Sequence, residues 1–187
     1  MDEVDALLAD LARWTGESAM ATAARSRSRE RWLRQQAAED ARFASVLVDL
    51  VEHGGSVVVT TTVGTVARGR VVAVAADFAV VAPGAPGQVG HATLVRLDAI
   101  ASARPEPGRR TGEAVGDRSP ATTATLADVL GGVAAERPRV TLVVGGAGAV
   151  TGELRAVGAD VITLRLEGSP PPTLYVRLAT VVQVTLL

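Results

Sequence analysis

Lysine, asparagine and cysteine are missing from the 187 residues, and only two histidines and five aromatic side chains occur. Each gap removes a chemistry. Without lysine there is no phosphate-loop ammonium and no Schiff-base nucleophile; without cysteine there is no disulfide, thiol nucleophile or zinc ribbon. His53 and His91 alone cannot furnish a three-histidine metal centre. An excess of one charge is also lacking, since 19 arginines face 20 acids for a net charge of -1, which excludes a whole-surface cationic binder. Every valine-rich run is broken by charge or glycine well short of the roughly 18 apolar residues that span a bilayer. The opening MDEVDALLADLARW carries four acids in its first ten residues and has neither the basic nor the apolar region of a signal peptide. The expectation is a cytoplasmic, non-enzymatic protein with no cofactor, no metal and no membrane partner.

What is present is apolar content, 48% of the chain, enough for a packed core. Val4, Leu7, Leu8, Leu11 and Trp14 recur at helical spacing, which predicts a short helix over residues 2–14 that ends at Thr15-Gly16. A second helix is predicted from about Ser18 or later to His53. Its last turns put Phe43, Val46, Leu47, Leu50 and Val51 on one face, and Gly54-Gly55 supplies the stop. From Ser56 the pattern changes to short valine-rich strands: SVVVTT, then VARGRVVAVAADFAVV, then TLVRL and IASAR, a β composition. Residues 104–124 combine Pro, Gly and mixed charge without apolar periodicity, which reads as a linker.

After the linker the same grammar returns. FASVLVDLVEHGGSVVVTT from Phe43 aligns without gaps on LADVLGGVAAERPRVTLVV from Leu126, an offset of 83 that also carries Gly69 onto Gly152 and Asp77 onto Asp160. Two residues fewer in the next loop bring Val95-Arg96-Leu97 onto Val176-Arg177-Leu178 and Ile100 onto Val181. A helix followed by five short strands thus occurs twice, and Thr125 with Asp128 fits a capping box that opens the second helix. The predicted layout is an N-terminal helical region (1–42), a first helix and strand unit (43–103), the linker (104–124) and a second unit (125–187).

In each unit a long second strand carries an early glycine, RGRVVAVAADFAVV and TGELRAVGADVITL, with Val71 and Leu154 two positions on. A short turn precedes the last strand. This arrangement resembles the Sm-like variety of the SH3-type small barrel. The resemblance covers residues 43–103 and 126–187, and implies a mainly β fold of two tandem five-stranded small barrels, each behind a helix. In that family an Asn on the second strand contacts a base; here Ala79 and Ile162 stand in its place. The Arg-Gly signature before the last strand is approached by Arg96-Leu97 and Arg177-Leu178.

RSRSRERWLRQQ places Arg25, Arg27, Arg29, Arg31 and Arg34 within ten residues. On a helix Arg27, Arg31 and Arg34 share one face, and guanidinium forks match phosphate oxygens. Arg68, Arg70 and Arg96 add a local cationic excess in the first unit, with four arginines against two acids over residues 55–104, while the rest of the chain after it balances at eight and eight. These eight named arginines are the candidate RNA or DNA contacts. Aromatic side chains for base stacking are scarce, and Phe78 reads as core. The competing expectation is a structural module that self-associates, or pairs with a protein partner, through its Trp14 and Trp32 helices. Asp77 and Asp160 read as Asx-type turn residues, and GGAGAVTG (145–152) leads into a strand, which makes it a hairpin turn rather than a dinucleotide loop.

Overall fold

The computed structural model describes residues 20, 26–32, 35–36, 39, 41–84, 90–106, 118–120 and 122–187. The predicted helix over 2–14, with Trp14, and the candidates Arg25 and Arg34 lie outside these residues. The chain divides into two compact units, Met1–Ala41 and Arg42–Leu187. Of the first unit, residues 20, 26–32, 35–36 and 39 are helical.

The helix expected from about residue 18 or later to 53 is interrupted at residues 41–42, where Arg42 is extended (φ -106°, ψ 143°). A separate helix, α1, spans Phe43–His53 and stops at Gly54, whose left-handed φ of 62° is the predicted glycine terminus. The start at Phe43 lets α1 bury Leu47 and Leu50 in the first core, and packing of that face outweighs the helical propensity of the residues before it.

Five strands follow: β1 (Ser56–Thr61), β2 (Val66–Val74), β3 (Phe78–Ala82), β4 (Thr93–Arg96) and β5 (Ile100–Pro105). Then come α2 (Leu126–Val133), β6 (Arg139–Val144), β7 (Gly148–Val157), β8 (Val161–Arg165), β9 (Thr173–Arg177) and β10 (Val181–Leu186). The predicted capping box opens α2: Thr125 Oγ1 accepts from the Asp128 N–H, and the Asp128 carboxylate accepts from the Thr125 N–H at 2.9 Å. Residue 104, placed in the linker from composition, belongs to β5. On the linker side, Arg118 ion-pairs with Asp49 and Glu52 of α1.

The sequence predicts two tandem five-stranded small barrels. The strands instead join into one open antiparallel sheet in the order β5-β1-β2-β3-β4-β10-β6-β7-β8-β9. The reason is backbone pairing at a seam: β4 bonds to β10, with Leu94 opposite Val184, so the last strand of the second set extends the first. Within each set of five, the pairing agrees position by position. Ser56↔Arg70 has its counterpart in Arg139↔Glu153, and Phe78↔Arg96 in Val161↔Arg177. The bulges agree too, between Val71 and Ala73 and between Leu154 and Ala156. A bulge inserts one unpaired residue and flips the alternation, and the buried positions of β2 accordingly run 67, 69, 71 and then 74.

The early glycines find their reason at this bend. An added Cβ on Gly69, whose φ is 154°, would stand 1.9 Å from the Ala82 carbonyl oxygen, and one on Gly152 would stand 2.9 Å from that of Arg165. The bend folds β2 over β3 so closely that only a hydrogen fits.

Two cores result. The first gathers Leu47, Val57, Val59, Val71, Ala79, Val81 and Val95. The second gathers Leu126, Leu130, Leu142, Leu154, Ile162 and Val184, and with them Phe78 and Leu94 from the first set of strands. β3 and β4 are therefore buried on both faces, one toward each core, which is why FAVV and TLVR lack polar alternation.

Candidate nucleic-acid interface

Arg27, Arg29 and Arg31 are exposed on the helix over 26–32. Arg31 turns back on its own helix, with Nε 3.4 Å from the Arg27 carbonyl and Nη2 3.3 Å from Ser28 Oγ. Arg27 and Arg31 share a face through their i, i+4 spacing.

In the sheet, Arg68 and Arg70 alternate with buried Ala67, Gly69 and Val71, so both guanidiniums leave the solvent side of β2. Val58 of β1 is the pairing partner of Arg68 on one side and of Arg104 of β5 on the other. Directly opposed residues project to the same face of a sheet. Arg104, Val58 and Arg68 thus form one row, with the outer two about 10 Å apart at Cα and Arg70 about 7 Å further along β2. Among the described residues, no carboxylate lies within ion-pair distance of these three arginines. A cleft of about 340 Å³ opens beside Arg68, lined also by His91, Thr93 and Gln183.

Arg96 does not join this row. Its guanidinium donates to both Asp98 carboxylate oxygens and, through Nη1 at 3.1 Å, to the Leu178 carbonyl; its side chain is only 16% exposed. It works as a clasp across the seam. Arg104 counts toward the cationic excess of residues 55–104 but was not among the named candidates, since the Pro/Gly segment begins beside it. The usable signal is the alternation in IASAR, which places it on the same strand face as Ser102.

The second set of strands lacks the cationic row. Thr151, Glu153 and Thr185 occupy the positions of Arg68, Arg70 and Arg104. Thr151 bonds to Thr141 at 2.8 Å, Glu153 accepts from Arg155 at 2.6 Å, and Thr185 bonds to Thr93 at 3.3 Å across the seam. A cleft of about 500 Å³ in this half is lined by Arg137, Arg139 and Arg165, but also by Glu153 and Glu167. Arg139 pairs with Glu167 there at 2.5 Å, so much of its charge is answered internally.

Asp77 does more than the expected local turn. Its Oδ1 accepts the N–H of Leu126 at 2.8 Å, 49 residues on, and its backbone carbonyl accepts from Leu97. The carboxylate thus caps α2 from the neighbouring turn. Among the described residues Asp160, at the same turn of the second set, shows no such partner, and only its carbonyl is engaged, by Leu178 N–H. His53 sits at the end of α1 with Nδ1 on the Asp49 carbonyl. Among the described residues no group of three or more His, Asp or Glu side chains converges as a metal site, and no helix is long and apolar enough to cross a membrane.

Compared with known proteins, the chain matches no protein-family profile, no curated protein and no solved structure.

Proposed function

We propose that the chain is a non-enzymatic, cytoplasmic binding protein that grips the phosphates of RNA or DNA through the outer face of β5, β1 and β2. The observation that carries this reading is the row Arg68, Arg70 and Arg104, three exposed guanidiniums without a carboxylate partner among the described residues. Guanidinium forks bind phosphate oxygens bidentately, and exposed cations left unpaired gain most from a polyanion. The exposed Arg27 and Arg31 of the N-terminal helix add a second cationic segment, with Arg25, Arg29 and Arg34 beside them in sequence. Support for reading the two halves as tandem Sm/SH3-like units comes from their matching strand registers. The first set of strands carries the cationic face, and the second carries Thr151, Glu153 and Thr185 at the matching positions.

Contacts limited to phosphate carry no base identity. Phe78 is 4% exposed and buried in the core, and offers no stacking platform. The strands of this face, β1, β2 and β5, carry no aromatic side chain, so binding through it is indifferent to sequence and strongly dependent on salt. Fluorescence anisotropy with a labelled mixed-sequence duplex tests this. Log affinity should fall linearly with log salt, and each of Arg68→Ala, Arg70→Ala and Arg104→Ala should lower that slope by about 0.9. Arg96→Ala should leave the slope unchanged. No binding at low salt, or equal slopes in all four variants, overturns the reading.

A further inference from the structure

The second half concentrates arginine at positions where the first half carries none. By the offset of 83 that aligns the halves, Arg137, Arg139 and Arg165 stand where the first half has Gly54, Ser56 and Ala82. The strand registers agree: the row Ser56, Arg70 and Ala82 across β1, β2 and β3 corresponds to Arg139, Glu153 and Arg165 across β6, β7 and β8. Opposed residues project to one face, so Arg139 and Arg165 flank β7 on the same side, about 10 Å apart at Cα. Three small residues in one half thus correspond to three guanidiniums in the other.

Arg137 occupies a backbone position that resists it. It follows the helical turn Ala134–Glu136 with a left-handed φ of 53°, just as Gly54 follows α1 with φ 62°. Among the described residues it is the one non-glycine residue with positive φ. A Cβ disfavours this conformation, and glycine would adopt it freely. The arginine instead adds a guanidinium to the lining of the cleft of about 500 Å³.

The charges of that cleft decide what it can hold. Of its five charged side chains, Arg139 is paired with Glu167 at 2.5 Å, and Glu153 accepts from Arg155 at 2.6 Å. Arg137 and Arg165, both exposed, make no hydrogen bond or ion pair among the described residues. Both carboxylates are therefore engaged, and the two groups left without partners are cations. A phosphate monoester places close to two negative charges and three acceptor oxygens on one group, enough for two guanidinium forks. A lone carboxylate fills only one. The remaining lining suits an organic body: Leu166 and Pro171 supply apolar surface, and Gly152, where a Cβ would stand 3.1 Å from Leu166 Cδ2, leaves room beside it. The volume is that of a small-ligand site.

We infer that this cleft binds a small phosphate monoester, with its dianionic head between Arg137 and Arg165 and its body against Leu166 and Pro171. The site shares no residue with the row Arg68, Arg70 and Arg104. It does not depend on the nucleic-acid reading and is tested without nucleic acid.

The test is a titration of the isotope-labelled full chain with ribose 5-phosphate, followed through backbone amide shifts by NMR. The amides of Arg165, Leu166, Glu167 and Gly168 should move and saturate, while those of Arg68 and Arg70 stay in place. Ribose, which has no phosphate, should move none of them. Arg137→Gly and Arg165→Ala install the residues of the first half, and each should lower affinity about tenfold, the effect of one lost charged hydrogen-bonding group. Arg177→Ala, outside the cleft, should leave affinity unchanged. Because glycine suits the left-handed turn, the melting temperature of Arg137→Gly should equal or exceed that of wild type, which separates lost binding from lost folding. No saturable shift with ribose 5-phosphate, an equal response to ribose, wild-type affinity in both arginine variants of the cleft, or shifts centred on Arg68 and Arg70 would each overturn the inference.

Discussion

The first and second sets of five strands share every strand pairing and both bulge positions, yet differ in what lies on their surfaces. The first carries Arg68, Arg70 and Arg104 where the second carries Thr151, Glu153 and Thr185. The first also has its β3–β4 face buried at the seam, where the second leaves the matching face open. Register is therefore set by the parts the two halves have in common, glycine at the bend, bulge and inward valines and leucines, while charge and exposure vary without disturbing it. A sheet's pairing is specified by its buried face; the other face is available for function.

Paired substitutions break this comparison most directly at the bend. Gly69→Ala, with its Cβ driven into the Ala82 carbonyl at a positive φ, should cost roughly 3 kcal/mol or more in urea unfolding. Gly152→Ala, where the clash is milder, should cost roughly 1–2 kcal/mol. Equal losses would mean that the two bends are equivalent. Next comes the seam: Leu94→Ala should lose about 2–4 kcal/mol by the same measurement, and Tyr175→Ala, in the matching but exposed position, less than about 0.5 kcal/mol in the isolated chain.

The smallest effects concern the helix starts. Thr125→Ala should cost about 1 kcal/mol, and Arg42→Thr, which offers α1 the cap it lacks, should gain a similar amount. The Asp128 carboxyl is held below its ordinary range by the Thr125 hydroxyl and then by the Thr125 backbone N–H. A depressed folded value means that its contribution to stability is complete above the unfolded value and disappears as pH falls through the folded one, below about pH 4. Asp128→Asn should remove that part of the acid dependence, read as a flatter unfolding-midpoint profile between pH 2 and 5.

Much of the fold was readable locally. The strand runs, the Gly54 terminus and the capping box all depend on residues within a few positions of one another, and the repeated order shows when segments 83 residues apart are aligned. The seam was not readable, because β4 and β10 join through backbone groups that every residue carries, and TLVR looks much like TLYVR. Only burial separates Leu94 from Tyr175. Asp77 misled for the same reason: its partner Leu126 lies 49 residues away, while a turn aspartate has a local explanation ready. Of the candidate site, Arg68 and Arg70 were legible from alternation, Arg96 was drawn to the seam by Asp98 and the Leu178 carbonyl, and Arg104 was obscured by the prolines after it.

The two cores depend on each other unequally. Every residue of the first core comes from α1 through β5, whereas the second core includes Phe78 and Leu94 from β3 and β4. A ribosome delivers the first half earlier, and domains generally fold as they emerge. The first half can complete its own core while the second is still being made, and in doing so presents the wall and the Asp77 cap against which α2 and β10 assemble. The dependence thus runs one way: the first core is built without any residue of the second half, while the second core and the start of α2 need Phe78, Leu94 and Asp77 of the first.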